Sequence, residues 1–478
     1  MKFSTDPIVA AFDRHVARHP EAAFVVSPLR RATRAHVAAL AGEAQRALTE
    51  IGVRPGQLVV TAVPNGPAFL AALVAVRRLG AAVVLADAAM PEAERDRIAA
   101  RLQAVAALTC EQAWPEQPGS WRAQRTSVAS PAEHDGAAFV KLTSGSTGEP
   151  CGLLVTSEAL AADDDQLFRS MGLRDDDRML AAIPLSHSYG LSSLAVPALR
   201  RGTLLALSDE GGPWAPLAAA RAADVTFFPT VPVYLTALVD LAERPRLPAS
   251  LRLVISAGAV LPPEVAARFR AAFGLSIHGF YGASEVGGIC YDRDGRAAER
   301  GTVGTPVDGV GVTLRADDGE EDTAEGAVVV RSAAAALRHI PAPQDSLDEG
   351  TFTSGDHARW TPSGELQLLG RRDAWINVGG KKVNPREVEA VLAALPGVRE
   401  AVVLGIASPG GATEIVRAVV ACETRRMTYS EVASWCRARL AGYKVPRSIV
   451  LVEAIPRTSR GKLDRAALLA APAPSVHR

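Results

Sequence analysis

The chain reads as an α/β protein with a large N-terminal domain and a small α+β C-terminal domain, and three observations predict this. Apolar runs of strand length alternate with segments of helical periodicity through the first part of the sequence. At 478 residues the chain is too long for one compact core, so at least two domains are expected. After about Gly301 the rhythm changes to shorter strands separated by turns, and a compact helix–strand–strand–helix–strand unit follows.

In order, "TRAHVAALAGEAQRALTEIG" spaces its apolar residues for a helix and stops at Gly52. "QLVVTAVP" then reads as a strand, "PAFLAALVAVRRLG" as a helix and "AAVVLAD" as the next strand. Alternation at this length implies parallel and mixed sheets, flanked by helices and joined by right-handed crossovers. The rhythm returns at "DRMLAAIPLS", "GTLLALS", "DVTFFPT" and "LRLVISAG", with no tandem repeat. "VGVTLRA", "GAVVVRS" and "ELQLLGR" are the shorter strands, and "NPREVEAVLAALPGV" opens the last unit, which closes with "SIVLVEAIP". The boundary is placed between "ELQLLG" and "RRD", giving domains of 1–370 and 371–478.

Composition excludes several classes. Lys+Arg and Asp+Glu both number 52, so no electrostatic footprint for nucleic acid or an anionic membrane exists. The first apolar run is interrupted by Asp13 and Arg14, which argues against a usual signal peptide, and no apolar stretch is long enough to span a bilayer. The cysteines at 110, 151, 290, 422 and 436 never form a C-x-x-C pair. Reduced thiols of a cytoplasmic protein fit that spacing better than disulfides or a zinc site.

"TSGSTGEPCG", from Thr143 to Gly152, follows the apolar run "GAAFVKL". Its glycines let backbone N–H groups turn inward and its hydroxyls add donors, a cradle for phosphate oxygens. The Walker spacing is absent. On composition alone the loop reads as a solvated turn between strand and helix, so the decision rests on the rest of the chain.

Four further motifs stand in order: "YGASE" (281–285), "TSGD" (353–356), "GRRDAWINVGGKKVNPREVE" (370–389), and "GYKVPR" followed by "IPRTSRGKLDR" (455–465). Together with the loop they resemble the signature motifs of the adenylate-forming superfamily: acyl-CoA synthetases, peptide-synthetase adenylation domains and luciferases. With the N-terminal "GVRPGQLVV", the resemblance covers nearly the whole chain. It implies a mobile C-terminal domain and an active site between the two domains.

The resemblance also implies roles. Thr143, Ser144, Gly145, Ser146, Thr147 and Gly148 would cradle the ATP phosphates. Glu285 would hold Mg²⁺ against the triphosphate, as a hard cation prefers carboxylate oxygen; without the motif it would read as a helix-capping acid. Tyr281, with Gly282 and Ser284 of the same motif, would stack on adenine, and Gly258 and Ala259 would line the other face. Asp356 would accept hydrogen bonds from the ribose, aided by Arg371. Lys462 would stabilise the charge that builds when a carboxylate attacks the α-phosphate. Asp373 matches the hinge of a domain rotation, after which Gly379 and Gly380 would line a channel for a pantetheine thiol, of CoA or of a carrier protein acting in trans. His187 would pack beside the substrate carboxylate, with Ser188, Tyr189, Phe228, Ser256, Gly279, Val286 and Gly287 around the acid. Phe227 and Phe228 read equally well as strand core.

The chain departs from the pattern at Cys151, where the superfamily usually has a lysine that meets the triphosphate. Lys141 is a candidate to compensate. Ser284 replaces a threonine, Ser354 stands in the Thr place of T-G-D, and Asn377 stands where many members have lysine. No Asp lies between His187 and Arg200 to pair with an α-ammonium, so the expected substrate is an aromatic or medium-length acid rather than an α-amino acid. Three readings remain open. They are an acid–thiol ligase, an adenylating ligase that serves an amine or activates an unusual oxyacid, and an inactive nucleotide-binding homologue.

Overall fold

The computed structural model describes residues 5–115, 119–128, 132–144, 150–209, 212, 214–316, 319–341, 346–348, 350–371, 375–378, 381–407, 414–422, 427–457 and 463–470. The chain divides into two compact units. One comprises Met1–Thr313, Val329–Thr353 and Trp360–Gln367; the other comprises Leu314–Val328, Ser354–Arg359 and Leu368–Arg478.

Two sheets organise the first unit. In the seven-stranded sheet, Leu58–Ala62, Ala82–Ala86, Ala106–Cys110 and Phe139–Ser144 run parallel, and the edge strands are antiparallel. Every residue of Leu58–Ala62 and Ala82–Ala86 is buried, the pattern of strands covered on both faces. In the nine-stranded sheet, Ala23–Val26, Leu204–Ala206, Arg178–Leu180, Phe227–Thr230, Leu253–Ser256 and Ile277–Ala283 form the parallel run. The α/β reading of this region is therefore correct.

The helices follow from local chemistry. Arg34–Glu50 begins where the Thr33 hydroxyl accepts the His36 amide at 3.2 Å, and it ends before Gly52, whose φ is 76°. Pro67–Arg78 is apolar almost all round and buried from Pro67 to Val76, so it forms core rather than surface.

Asp6 fastens the first helix, Pro7–Arg18. Its Oδ1 accepts the Ile8 and Val9 amides at 2.9 and 3.1 Å, while Oδ2 accepts Arg77 Nε at 2.9 Å. Both partners are nearly buried. Asp6→Ala removes a cap and leaves a shielded guanidinium without its carboxylate, so it should cost about 3 kcal/mol. A denaturant midpoint lowered at unchanged slope would show this.

The second unit holds the expected order: helix Pro385–Ala393, strands Val398–Ala407 and Glu414–Cys422, helix Tyr429–Arg437 and strand Ser448–Val452. Val388, Leu392, Val416, Val420, Val432 and Ile449 close its core. A capping box, with the Thr428 hydroxyl on the Glu431 amide and the Glu431 carboxylate on the Thr428 amide, starts the second helix. No described helix is long and apolar enough to cross a membrane.

Candidate active site

Parallel strands present their carboxyl ends on one edge of a sheet, and open α/β sheets bind ligands there. In the nine-stranded sheet the chain leaves that edge after Arg178–Leu180, Leu253–Ser256 and Ile277–Ala283, on the segments that bear His187, Gly258–Ala259 and Tyr281–Glu285. Gly258 and Ala259 are exposed and Tyr281 is half-buried. Ser256 and Gly279 are register partners on neighbouring strands, so the sheet sets these two candidates side by side.

Glu285 sits in a tight hairpin turn, not at a helix cap. Ile277–Ala283 folds back on Gly287–Tyr291, pairing Tyr281 with Cys290 and Ala283 with Gly287. The Glu285 carbonyl accepts the Ala336 amide at 2.7 Å, and its Oε1 lies 3.5 Å from His339 Nε2. Burial alone would raise the Glu285 carboxyl, but the His339 ring, with Lys141 behind it, outweighs that and holds it below the usual range. An ionised carboxylate with one-fifth of its side chain exposed suits a magnesium ion, which keeps several waters and binds few protein oxygens. No cluster of three His, Cys, Asp or Glu side chains stands ready for a metal among the described residues.

The 143–152 loop differs from the strand-to-helix turn its composition suggests. Strand Phe139–Ser144 pairs antiparallel with Pro150–Val155, setting Thr143 opposite Cys151, and only then comes the helix Ser157–Ser170. Thr143 is half-buried, as is Cys151. Gly145, Ser146, Thr147, Gly148 and the Ser144 side chain lie outside the described residues.

His187 is exposed and caps the short helix Ser188–Gly190, its carbonyl accepting the Leu191 amide at 2.8 Å. The segment before it is pinned by Asn65, which donates to the Ile183 carbonyl at 3.4 Å and accepts the Leu185 amide at 3.1 Å. A side chain at Gly190 would collide with the Pro184 carbonyl. Gly190→Ala should therefore displace the His187 turn at about 2 kcal/mol. A raised acid KM beside an unchanged ATP KM, with a lowered Tm, would show it.

Around the acid candidates, the Tyr189 ring lies beside Phe280 with centroids 6.1 Å apart, and burial pushes its hydroxyl pKa upward. Ser188 is half-buried, Gly282, next to Tyr281, is exposed, and Ser256 is buried with no hydrogen-bond partner for its hydroxyl. Val286 is fully buried between the half-buried Glu285 and Gly287. Phe228 occupies a core position, edge-on to Tyr234 and clustered with Leu217, Val254 and Phe269; Phe227 is equally buried.

Strands Thr351–Trp360 and Leu366–Arg371 pair, and Arg371 comes close to Gly355, the neighbour of Asp356. Ser354 Oγ donates to Asp356 Oδ2 and accepts the Asp356 amide, both at 3.0 Å, so the serine does the orienting work of the usual threonine. The Arg371 guanidinium lies over Gly355, where a Cβ would stand 3.0 Å from Nη2. Asp373, Gly379, Gly380 and Lys462 lie outside the described residues.

Sequence reading missed Asp163 and His339. Asp163 sits in the run "ADDDQ", where a single sequence does not reveal that 163 faces inward while Asp164 and Asp165 pair with Arg200 and Arg201. The buried His339 lies on the short strand Arg338–Ile340, with no motif around it.

Comparison with known proteins gives the family. Residues 12–338 match the AMP-binding enzyme family, and residues 387–462 match the AMP-binding enzyme C-terminal domain. Feruloyl-CoA synthase of Amycolatopsis sp is 30% identical over 440 residues, covering 87% of this chain and 89% of its own. The long-chain-fatty-acid–CoA ligase FadD13 of Mycobacterium tuberculosis is 27% identical over 470 residues, with 92% of each chain covered. Among solved structures, the amide bond synthetase McbA from Marinactinospora thermotolerans has a TM-score of 0.81 and 27% identity, over 97% of this chain and 99% of that one. Matched across most of its length by these two models, the chain belongs to the AMP-binding enzyme family and is an acyl-CoA-synthetase-like, AMP-forming ligase.

Proposed function

We propose that this ligase uses ATP and Mg²⁺ to convert an aromatic or medium-length carboxylic acid into its acyl-adenylate, releasing pyrophosphate, and then passes the acyl group to a thiol, with CoA the first candidate. The observation that carries this reading is the Glu285 turn: an ionised carboxylate beside a parallel-strand edge that also bears Tyr281, Gly258 and His187. The names of the relatives support CoA as acceptor and both aryl and alkyl acids as substrates.

In this reading the 143–148 loop holds the phosphates and Glu285 holds the magnesium ion, which neutralises charge on the phosphate oxygens. Asp356, oriented by Ser354, receives the ribose hydroxyls with Arg371 alongside. Lys462 stabilises the α-phosphoryl transition state. His187 lies beside the substrate carboxylate, with the acid held among Tyr189, Ser256, Gly279, Val286 and Gly287. The functional domains are 1–370 and 371–478, with the hinge at Asp373 and the thiol channel at Gly379 and Gly380.

A second reading has specific support. The similarity to an amide bond synthetase favours transfer of the adenylate's acyl group to an amine. Pyrophosphate release with Mg-ATP across aryl acids, fatty acids, α-amino acids and small oxyacids, without acceptor, tests the first step; adding CoA or an amine then separates the two readings. Release with α-amino acids alone would refute the substrate proposal. No release with any acid, from Cys151→Lys as well as the unaltered protein, would refute the activity.

A further inference from the structure

Lys141 breaks the pattern of the strand that carries it. Along Phe139–Ser144, Val140 and Leu142 face an apolar cluster with Leu58, Val60, Val84 and Met90. Side chains alternate along a strand, so position 141 points to the opposite face. Its register partners are Leu85 and Leu153 on the two neighbouring strands, and an apolar residue is the expected choice. A lysine stands there instead, only 4% exposed. A buried ammonium persists only where partners compensate for its lost hydration.

The partners all belong to one place. Lys141 Nζ donates to the Ser284 carbonyl at 3.1 Å. Burial lowers its pKa, while Asp163 first and Glu285 second oppose that shift. Asp163, from the helix Ser157–Ser170, is itself 2% exposed. Its Oδ1 accepts the Gly288 amide at 3.0 Å, and its Oδ2 is buried without a hydrogen bond. The carboxylate fills the space that a side chain at Gly287 would need, at a φ of 72° that favours glycine. The turn is therefore gripped at both ends, at the Ser284 carbonyl and the Gly288 amide, with Glu285 between the grips. Both gripping residues flank the 143–152 loop in sequence, one on the strand that enters it and one on the first helix after it. The Lys141 ammonium is thus engaged by the protein's own turn, at the Ser284 carbonyl.

We propose that Lys141 and Asp163 act together as positioning residues that lock the Glu285 turn to the frame of the 143–152 loop, so that metal and phosphate ligands are held as one unit. This rests on the roles proposed above for Glu285 and the loop.

The test uses the full-length protein with Lys141→Met, Asp163→Asn and the double variant Lys141→Met/Asp163→Leu. Lys141→Met leaves the buried Asp163 carboxylate without its cation, and Asp163→Asn removes the stronger of the two carboxylates facing Lys141, so each should lower Tm; the double change should recover most of that loss. If the pair positions Glu285, the double variant still shows faster amide exchange across 284–288. It also needs about tenfold more Mg²⁺ for half-maximal pyrophosphate release, with a smaller change in kcat, the scale seen when groups supporting a metal ligand are removed. Wild-type exchange at 284–288 together with a wild-type Mg²⁺ requirement in the double variant would overturn the proposal. The exchange measurement needs no turnover, so it decides the grip on the turn even for a protein that activates none of the acids tried.

Discussion

Lys462→Ala will reduce acid-dependent pyrophosphate release by about 10²–10³-fold, the usual cost of removing one preorganised group that faces developing charge. Carboxylate attack on the α-phosphate spreads negative charge over the phosphoryl oxygens in line with the departing pyrophosphate. A positioned ammonium is worth most at that moment and little before it, so kcat should fall while the ATP KM moves by less than about threefold. Attack of a thiol on the finished acyl-adenylate builds charge at the acyl carbon instead. The same variant, supplied with synthetic acyl-adenylate and CoA, should therefore retain most of its acyl-transfer rate. Stopped-flow measurement of both half-reactions checks this, and an equal loss in both would assign Lys462 a general structural role.

Why the fold and the candidate site were partly legible in the sequence, and partly not, is a matter of range. Helix Arg34–Glu50 and the strands around it could be read because periodicity and a terminal glycine act within a few residues. The hairpin at Glu285 could not, since pairing Tyr281 with Cys290 depends on a register that no local pattern announces. Strand Pro150–Val155 was hidden for the same reason, inside what looked like a turn leading to a helix. Phe228 illustrates a different gap: an aromatic on an apolar strand fits core and pocket equally well, and only packing against Leu217 and Phe269 gives its position. The deepest gap is electrostatic. Lys141, Asp163 and His339 come from three separate elements, and their meaning arises only from burial around one turn. Yet Lys141 did leave a local trace, a lysine at an interior strand position. Local rules tend to be broken where function compensates for the cost.

Glu285→Gln should lower kcat/KM for Mg-ATP by about 10²–10³-fold while leaving Tm nearly unchanged. Glutamine keeps the length and one carbonyl oxygen of the native side chain, so the Ala336 amide still meets the 285 carbonyl and the hairpin register survives. What disappears is the negative charge, the property a hard divalent cation requires of its oxygen ligand. The effect should therefore take a particular form, with rates recovering in part as free Mg²⁺ is raised and not as acid is raised. Loss of charge also removes an opposing field from Lys141, whose remaining carboxylate partner, Asp163, is the stronger of the two. Because that partner persists, no unpaired buried ammonium results, and a collapse of stability is not expected. A Glu285→Gln enzyme whose deficit ignores Mg²⁺ would mean that the carboxylate orders the turn instead of holding the ion, and His339, 3.5 Å from Oε1, would then be the partner through which it acts.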